Sequence, residues 1–250
     1  MTHVFFVGDE LTAGHGDPKA LGWTGRVAAR TLPLAPELRF HTLAVPGETT
    51  GELTARWDDE ALRRIGDTPS GAHPNAVLFA IGRNDVHRGV SPTMTRLNIA
   101  NTLDRAKALG FRTMVAGPPP GRTEGQQAIA ELSALCEESA ARRGVPYVDM
   151  FGPLARHEQW VSDMALGDES LPHQAGYGLM AWLVLHSAWH DWLGVEQPVV
   201  PGGVQHEPRH QPVSGLVGEA LVAKSHVGHP LLVARKWPEH IHVRDSSAGS

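Results

Sequence analysis

One cysteine, Cys136, stands in 250 residues, which excludes an internal disulfide framework and fits a reducing compartment. No positive charge excess is present either. The net charge is −5 at pH 7, so no electrostatic reason points to nucleic acid as a partner. Long apolar runs are missing; "AVLFAI" at 76–81 has strand length and falls far short of a membrane span. The amino-terminal "HVFFVG" follows no basic region and shows no small-residue cleavage site. The expectation is therefore a cytoplasmic protein without a secretion signal and without a membrane partner. Internal repeats and low-complexity tracts are not found.

What the chain does have is enough apolar material, 41% of its residues, to bury a full core. Its 19 prolines and 27 glycines predict numerous, well-defined loops. Short β-rich runs alternate with helical patterns. Strands are predicted over 3–8, 38–44, 76–82, 112–117 and 145–150. Helices are predicted over 24–32, 51–65, 93–110, 124–144 and 174–194, with Gly110 and Gly144 closing two of them. Apolar strands separated by helices predict an α/β fold, a parallel sheet between helical layers. Ligands in such sheets sit beyond the carboxyl ends of the strands. Glu10, Gly47, Asn84 and Asp85 all fall just after predicted strands. After Gly194 the composition changes to a Pro/Gly/His-rich stretch, followed by two short strand-like runs within 219–237. The expected organisation is a main domain over 1–194 and an arm over 195–250 that ends in a β-hairpin. That hairpin is too small to be a domain alone, so it is expected to serve the main body, a homo- or hetero-oligomeric contact, or the site.

Four separated blocks carry a resemblance. "GDELTAG" covers 8–14, Gly47 lies in "LAVPGETTGEL", "IGRND" supplies Gly82, Asn84 and Asp85, and "DESLPHQAGY" covers 168–177. In order and in strand–loop context they resemble the SGNH (GDSL) hydrolases, across residues 3–193. The resemblance implies a three-layer α/β/α, flavodoxin-like fold. It also implies an oxyanion hole made by the residue-10 backbone N–H, the Gly47 N–H and the Asn84 side chain. Two parts of the family's machinery do not carry over. The nucleophilic serine position holds Glu10. Alignment of the last block on Pro172 and Gly176-Tyr177 leaves Asp168 in place but puts Leu171 where the catalytic histidine belongs. His173 lies two residues later, preceded at three residues by Ser170 rather than an acid.

A carboxylate in place of a hydroxyl is ionised at neutral pH unless burial raises its pKa, and beside an oxyanion hole it repels developing negative charge. It can act as a general base, act as an acid after pKa elevation, or hold a cationic amine. With Asp9 and Asp168 nearby, mutual repulsion is expected to raise at least one carboxyl pKa. The expected catalytic residues are Glu10, Asp168 and His173; the expected substrate- or oxyanion-binding residues are Asp9, Gly47, Gly82, Asn84 and Asp85. No cofactor and no metal are expected. His186 and His190 share a helix face among tryptophans, and the six histidines of the tail match no compact site. Cys136 is expected to be buried packing.

The preferred expectation is a repurposed small-molecule enzyme with a retained anion site. Its substrate would carry a carboxylate, or a sulfate or phosphate ester. Elimination, intramolecular displacement and acyl transfer to an unusual acceptor all suit it, in a setting of specialised metabolism. Two alternatives stand beside it. One is a non-catalytic subunit that completes a partner enzyme through the arm, and the other is an esterase with His173 as a rewired base.

Overall fold

The computed structural model describes residues 1–66, 74–121, 125–166 and 171–196. Asp168 and the predicted hairpin over 219–237 lie outside the described residues, as does the arm beyond residue 196.

Five strands form the sheet: β1 (Thr2–Gly8), β2 (Leu38–Ala44), β3 (Ala76–Ala80), β4 (Arg112–Ala116) and β5 (Tyr147–Val148). All pair in parallel in the order β2-β1-β3-β4-β5. That is the flavodoxin-like order, whose switch point lies between the first and third strands. The longer helices are α2 (Gly22–Thr31), α4 (Trp57–Ile65), α6 (Pro92–Ala108), α7 (Gln126–Ala141) and α10 (Gln174–Leu185). Shorter ones are α1 (Glu10–Ala13), α3 (Thr50–Thr54), α5 (Arg83–His87), α8 (Phe151–Leu154), α9 (Glu158–Met164) and α11 (Trp189–Leu193). No helix among the described residues is long and apolar enough to cross a membrane.

Alternation along β1 builds two cores. Val4 and Phe6 face one layer with Trp23, Tyr177, Met180 and Trp189. Phe5 and Val7 face the other with Trp57, Phe79, Ile99 and Leu103. Successive strand side chains point to opposite faces, so a sheet covered on both sides needs apolar residues at every position. Aromatic rings lock each layer: Trp189 stacks on Phe6 at 5.7 Å, and Trp57 meets Phe79 edge-on at 5.0 Å. Cys136 is fully buried in the second core, where burial pushes its thiol up to about 12.

Several predicted boundaries move for identifiable reasons. The helix predicted over 51–65 is two helices. A capping box between Thr49 and Glu52 starts α3, and the chain breaks at Arg56, whose guanidinium pairs with Glu48 at 2.5 Å. The helix predicted over 174–194 also divides. Side chains of His186 and Ser187 engage the carbonyls of Trp182 and Val184, drawing the last turn of α10 out of register before α11 begins. Strand β5 keeps two of the six predicted residues, because the Val145 N–H turns back to Ala140 and Met150 already caps α8.

Candidate active site

Chain direction reverses abruptly at the end of β1. A Cβ on Gly8 would lie 2.3 Å from the Ala80 carbonyl oxygen and 2.3 Å from Thr12 Oγ1, so a side chain there would push α1 off the sheet. Asp9 follows as the cap of α1, its Oδ1 accepting the Leu11 N–H at 3.0 Å. Glu10 is then the first helical residue, set at the carboxyl end of β1 beside the topological switch point. Thr24 Oγ1 donates to the Thr12 carbonyl at 3.3 Å and fastens α1 to α2.

Two neighbouring loops bring donors to the Glu10 carboxylate. After β2, the Val45 N–H extends the ladder to the Gly8 carbonyl, and the chain turns through Gly47 at φ 73°. That left-handed conformation, open to glycine at no steric cost, aims the Gly47 N–H at Glu10 Oε2, 2.8 Å away. After β3, Gly82 (φ 106°) turns the chain into α5, and Asn84 Nδ2 donates to the same Oε2 at 3.0 Å. Facing a carboxylate, the Asn84 amide presents its NH₂ group. The loop carrying Gly47 is itself held. Arg88 donates to the Gly47 carbonyl at 3.3 Å and to Glu52 Oε2 at 2.6 Å, while Glu48 next door receives both arms of Arg56. Both donors from the neighbouring loops thus fall on Oε2 of Glu10.

The expected open anion site is therefore filled by the protein's own carboxylate. Of the neighbouring carboxyl groups, at least one of which was expected to have a raised pKa, Glu10 is not the one. Burial pushes its pKa up, but the Gly47 N–H, the residue's own N–H and the Asn84 amide more than offset this, so its pKa lies below the usual glutamate value. Asp9 moves the other way. Complete burial and the adjacent Glu10 charge raise it to about 7, against the opposing Leu11 N–H and Arg83 charge. Two adjacent carboxyl groups thus have their proton affinities driven apart by environment. Asp9 also lines a cavity of about 10 Å³, with Trp23, Arg83, Pro118 and Met180 among others, with room for about one water.

The other expected site residues have different surroundings. Gly82 shapes the turn and makes no contact with Glu10 of the kind Gly47 makes. The Asp85 carboxylate is engaged away from Glu10, accepting from Thr50 N–H (2.7 Å), Thr50 Oγ1 (2.6 Å) and Thr95 Oγ1 (2.6 Å), which ties α3, α5 and α6 together. Leu171 is half-buried against the core on the α2 and α10 side, with its Cβ close to Gly16. His173 caps α10 through its backbone, and no hydrogen bond to its imidazole is found among the described residues. Four site neighbours escaped sequence reasoning. Arg83 is the variable residue inside the Gly-x-Asn-Asp block and His87 lies two residues beyond it, and that proximity was their signal. Arg88 and Asp163 gave none, since each acts through a loop or helix distant in sequence.

Asp163 receives three backbone N–H groups, from His173 (2.6 Å), Ala175 (3.1 Å) and Gly176 (2.8 Å), and is buried. Tyr177 on that helix donates to the His15 carbonyl at 2.6 Å, so α10 and the segment after α1 form one support. D163A leaves several helix donors unsatisfied and is expected to cost about 3 kcal/mol, at about 1–3 kcal/mol for a buried orphan donor. In a thermal melt this reads as a fall of about 6–12 °C. A melt within a degree or so of wild type (about 0.3 kcal/mol) contradicts the capping role.

The comparisons with known proteins agree with this fold. The model of the GDSL-like lipase/acylhydrolase family matches residues 6–179. Esterase TesA of Pseudomonas aeruginosa is 23% identical over 145 residues, covering 58% of this chain and 68% of that protein. Among solved structures, the lipase/acylhydrolase of Enterococcus faecalis superposes with a TM-score of 0.65 at 21% identity, covering 79% of this chain and 100% of that one. The psychrotrophic esterase EstA of a Pseudoalteromonas species gives 0.62 at 18% identity, covering 78% and 100%. The carboxyl-end site at the switch point and the family match over most of the chain lead to one assignment: this protein belongs to the GDSL-like lipase/acylhydrolase family.

Proposed function

We propose that the protein is a small-molecule enzyme in which the ionised Glu10 carboxylate has taken the place of a serine nucleophile and works as a general base or as the anchor of a cationic amine. The observation that carries this reading is the binding of Glu10 Oε2 by the Gly47 N–H and the Asn84 amide, at 2.8 and 3.0 Å. Held by one oxygen, the carboxylate cannot rotate freely and offers Oε1 to a substrate in a fixed direction, which favours proton abstraction. A lowered pKa keeps it charged at neutral pH, so the role of proton donor falls away from Glu10. The relatives are named esterases and a lipase/acylhydrolase; ester hydrolysis by a serine lacks its hydroxyl here, and the place of its oxyanion is taken. Elimination, intramolecular displacement and acyl transfer to an unusual acceptor each begin with removal of a proton and suit a charged base.

The test compares wild type with E10Q on a library of small amines bearing acyl, sulfate or phosphate ester groups, with conversion followed by mass spectrometry. E10Q keeps the carbonyl acceptor for Gly47 and Asn84, so circular dichroism should remain unchanged. Conversion should fall by roughly 100- to 10,000-fold, the usual contribution of a positioned base. Undiminished conversion by E10Q refutes the reading.

A further inference from the structure

In the serine mechanism, the donors at Gly47 and Asn84 would stabilise an oxyanion on the substrate's acyl group. Here they hold an oxygen of Glu10 itself. If Oε1 attacked an acyl carbon, the new oxyanion would form on the substrate with those donors already occupied. Attack on a saturated carbon creates no oxyanion and needs no hole. It leaves Glu10 as an alkyl ester whose carbonyl oxygen, Oε2, already lies between the two donors. Hydrolysis of that ester then develops its negative charge on Oε2, where donors placed for this purpose are most effective.

A base for the second step is at hand. His87 follows Asn84 by three residues and Arg83 by four on α5, a spacing that puts it on the helix face from which the Asn84 amide reaches Glu10. It is exposed to solvent, where water is available. Partial burial, and then the Arg83 charge, lower its pKa against the opposing Glu10 charge, which favours the neutral imidazole a base requires.

From these contacts we infer that Glu10 is a carboxylate nucleophile toward saturated carbon bearing an anionic leaving group, and that His87 activates the water that releases it. In the first step an Oε1 lone pair forms the O–C bond while the C–X bond breaks, X leaving as an anion. In the second, water adds to Glu10 Cδ and gives one proton to His87. The tetrahedral oxyanion on Oε2 then collapses, breaking the bond between Cδ and the alkyl-bearing oxygen. The alkoxide takes the proton back from His87, and the remaining acid proton is lost to solvent. The net change is hydrolysis of R–X to R–OH, X⁻ and a proton. This inference rests on Glu10 being the working group of the site and adds a covalent intermediate and a substrate class.

The experiment uses the full chain with two probes, bromobutane and butyl p-nitrobenzenesulfonate. In H87Q the peptide containing Glu10 should accumulate a single butyl ester, because loss of the base slows its hydrolysis by roughly 100-fold or more. H173Q should behave as wild type, and E10Q should carry no adduct. In a single wild-type turnover in heavy-oxygen water, butanol should keep a light oxygen donated by Glu10, while Glu10 gains the heavy one. Heavy butanol with an unlabelled Glu10, in a protein still silenced by E10Q, overturns the nucleophile and leaves the general-base reading standing. Turnover that survives in E10Q removes both. Absence of adduct from H87Q together with absence of label at Glu10 also overturns the inference, and trapping in H173Q instead of H87Q overturns the assignment of His87.

Discussion

Hydrolysis of p-nitrophenyl acetate should stay near background in E10S and rise by roughly 100-fold or more in E10S/L171H. The single substitution restores a hydroxyl and frees the Gly47 N–H and Asn84 amide for a substrate oxyanion. It supplies no proton acceptor for that hydroxyl, and a serine without a base within about 3 Å remains a weak nucleophile. Leu171 packs its side chain against the apolar core beside Gly16. His173 cannot simply slide into that position, because its backbone N–H is bonded to Asp163 at 2.6 Å and its position fixes the start of α10. The two changes should be strongly non-additive, as for any nucleophile and base that act as a unit. The measurement is kcat/KM for the two single variants and the double variant. Equal rates for E10S and E10S/L171H would contradict the expectation that position 171 is where the missing base belongs.

Substituting Asp9 should produce the largest pH-dependent change in stability. The folded protein holds a proton on Asp9 up to about pH 7, whereas the unfolded chain releases it at the ordinary value of 3.8. Between those values the native state binds more protons than the unfolded state, so stability falls as pH rises. This contribution is fully present below 3.8 and is lost by about 7. The loss amounts to about 4 kcal/mol at 1.36 kcal/mol per pKa unit. D9N carries no such proton but keeps an oxygen for the Leu11 N–H. Urea unfolding from pH 4 to pH 7 should show the D9N-minus-wild-type difference moving in favour of D9N across that window and levelling above it. A difference that stays flat with pH would show that Asp9 is ionised throughout. Since the Glu10 charge contributes to the elevation, E10Q should shift the wild-type window toward acid.

The layer architecture was legible because buried strands announce themselves. "VFFV" and "AVLFA" are apolar at every position, and the helices between them are long enough to show a 3.6-residue period. The short helices α1, α5, α8 and α9 have four to seven residues, too few for periodicity to register. They are defined instead by what they dock against and, for α1, by the Asp9 cap. Within the site, the approach of Gly47 and Asn84 to Glu10 followed from all three lying after strands of one parallel sheet. What the Glu10 carboxylate does there could not be read from spacing. Whether it repels the hole or fills it depends on rotamer and on the Gly47 N–H direction, which a positive φ decides. Asp85 shows the same limit. Its block marks it as a site residue, yet Thr50 and Thr95, 35 and 10 residues away, claim its carboxylate.

The fastening of the Gly47 turn by Arg88 on one side and the Glu48–Arg56 pair on the other has a consequence for how this protein can change. The aim of the peptide N–H is fixed by bonds that do not involve residue 10, so the same rigid chassis can accept hydroxyl, carboxylate or a smaller side chain at that position without rebuilding its surroundings. Geometry at residue 10 therefore tolerates exchange, while a working hydroxyl also needs a partner base from elsewhere in the chain.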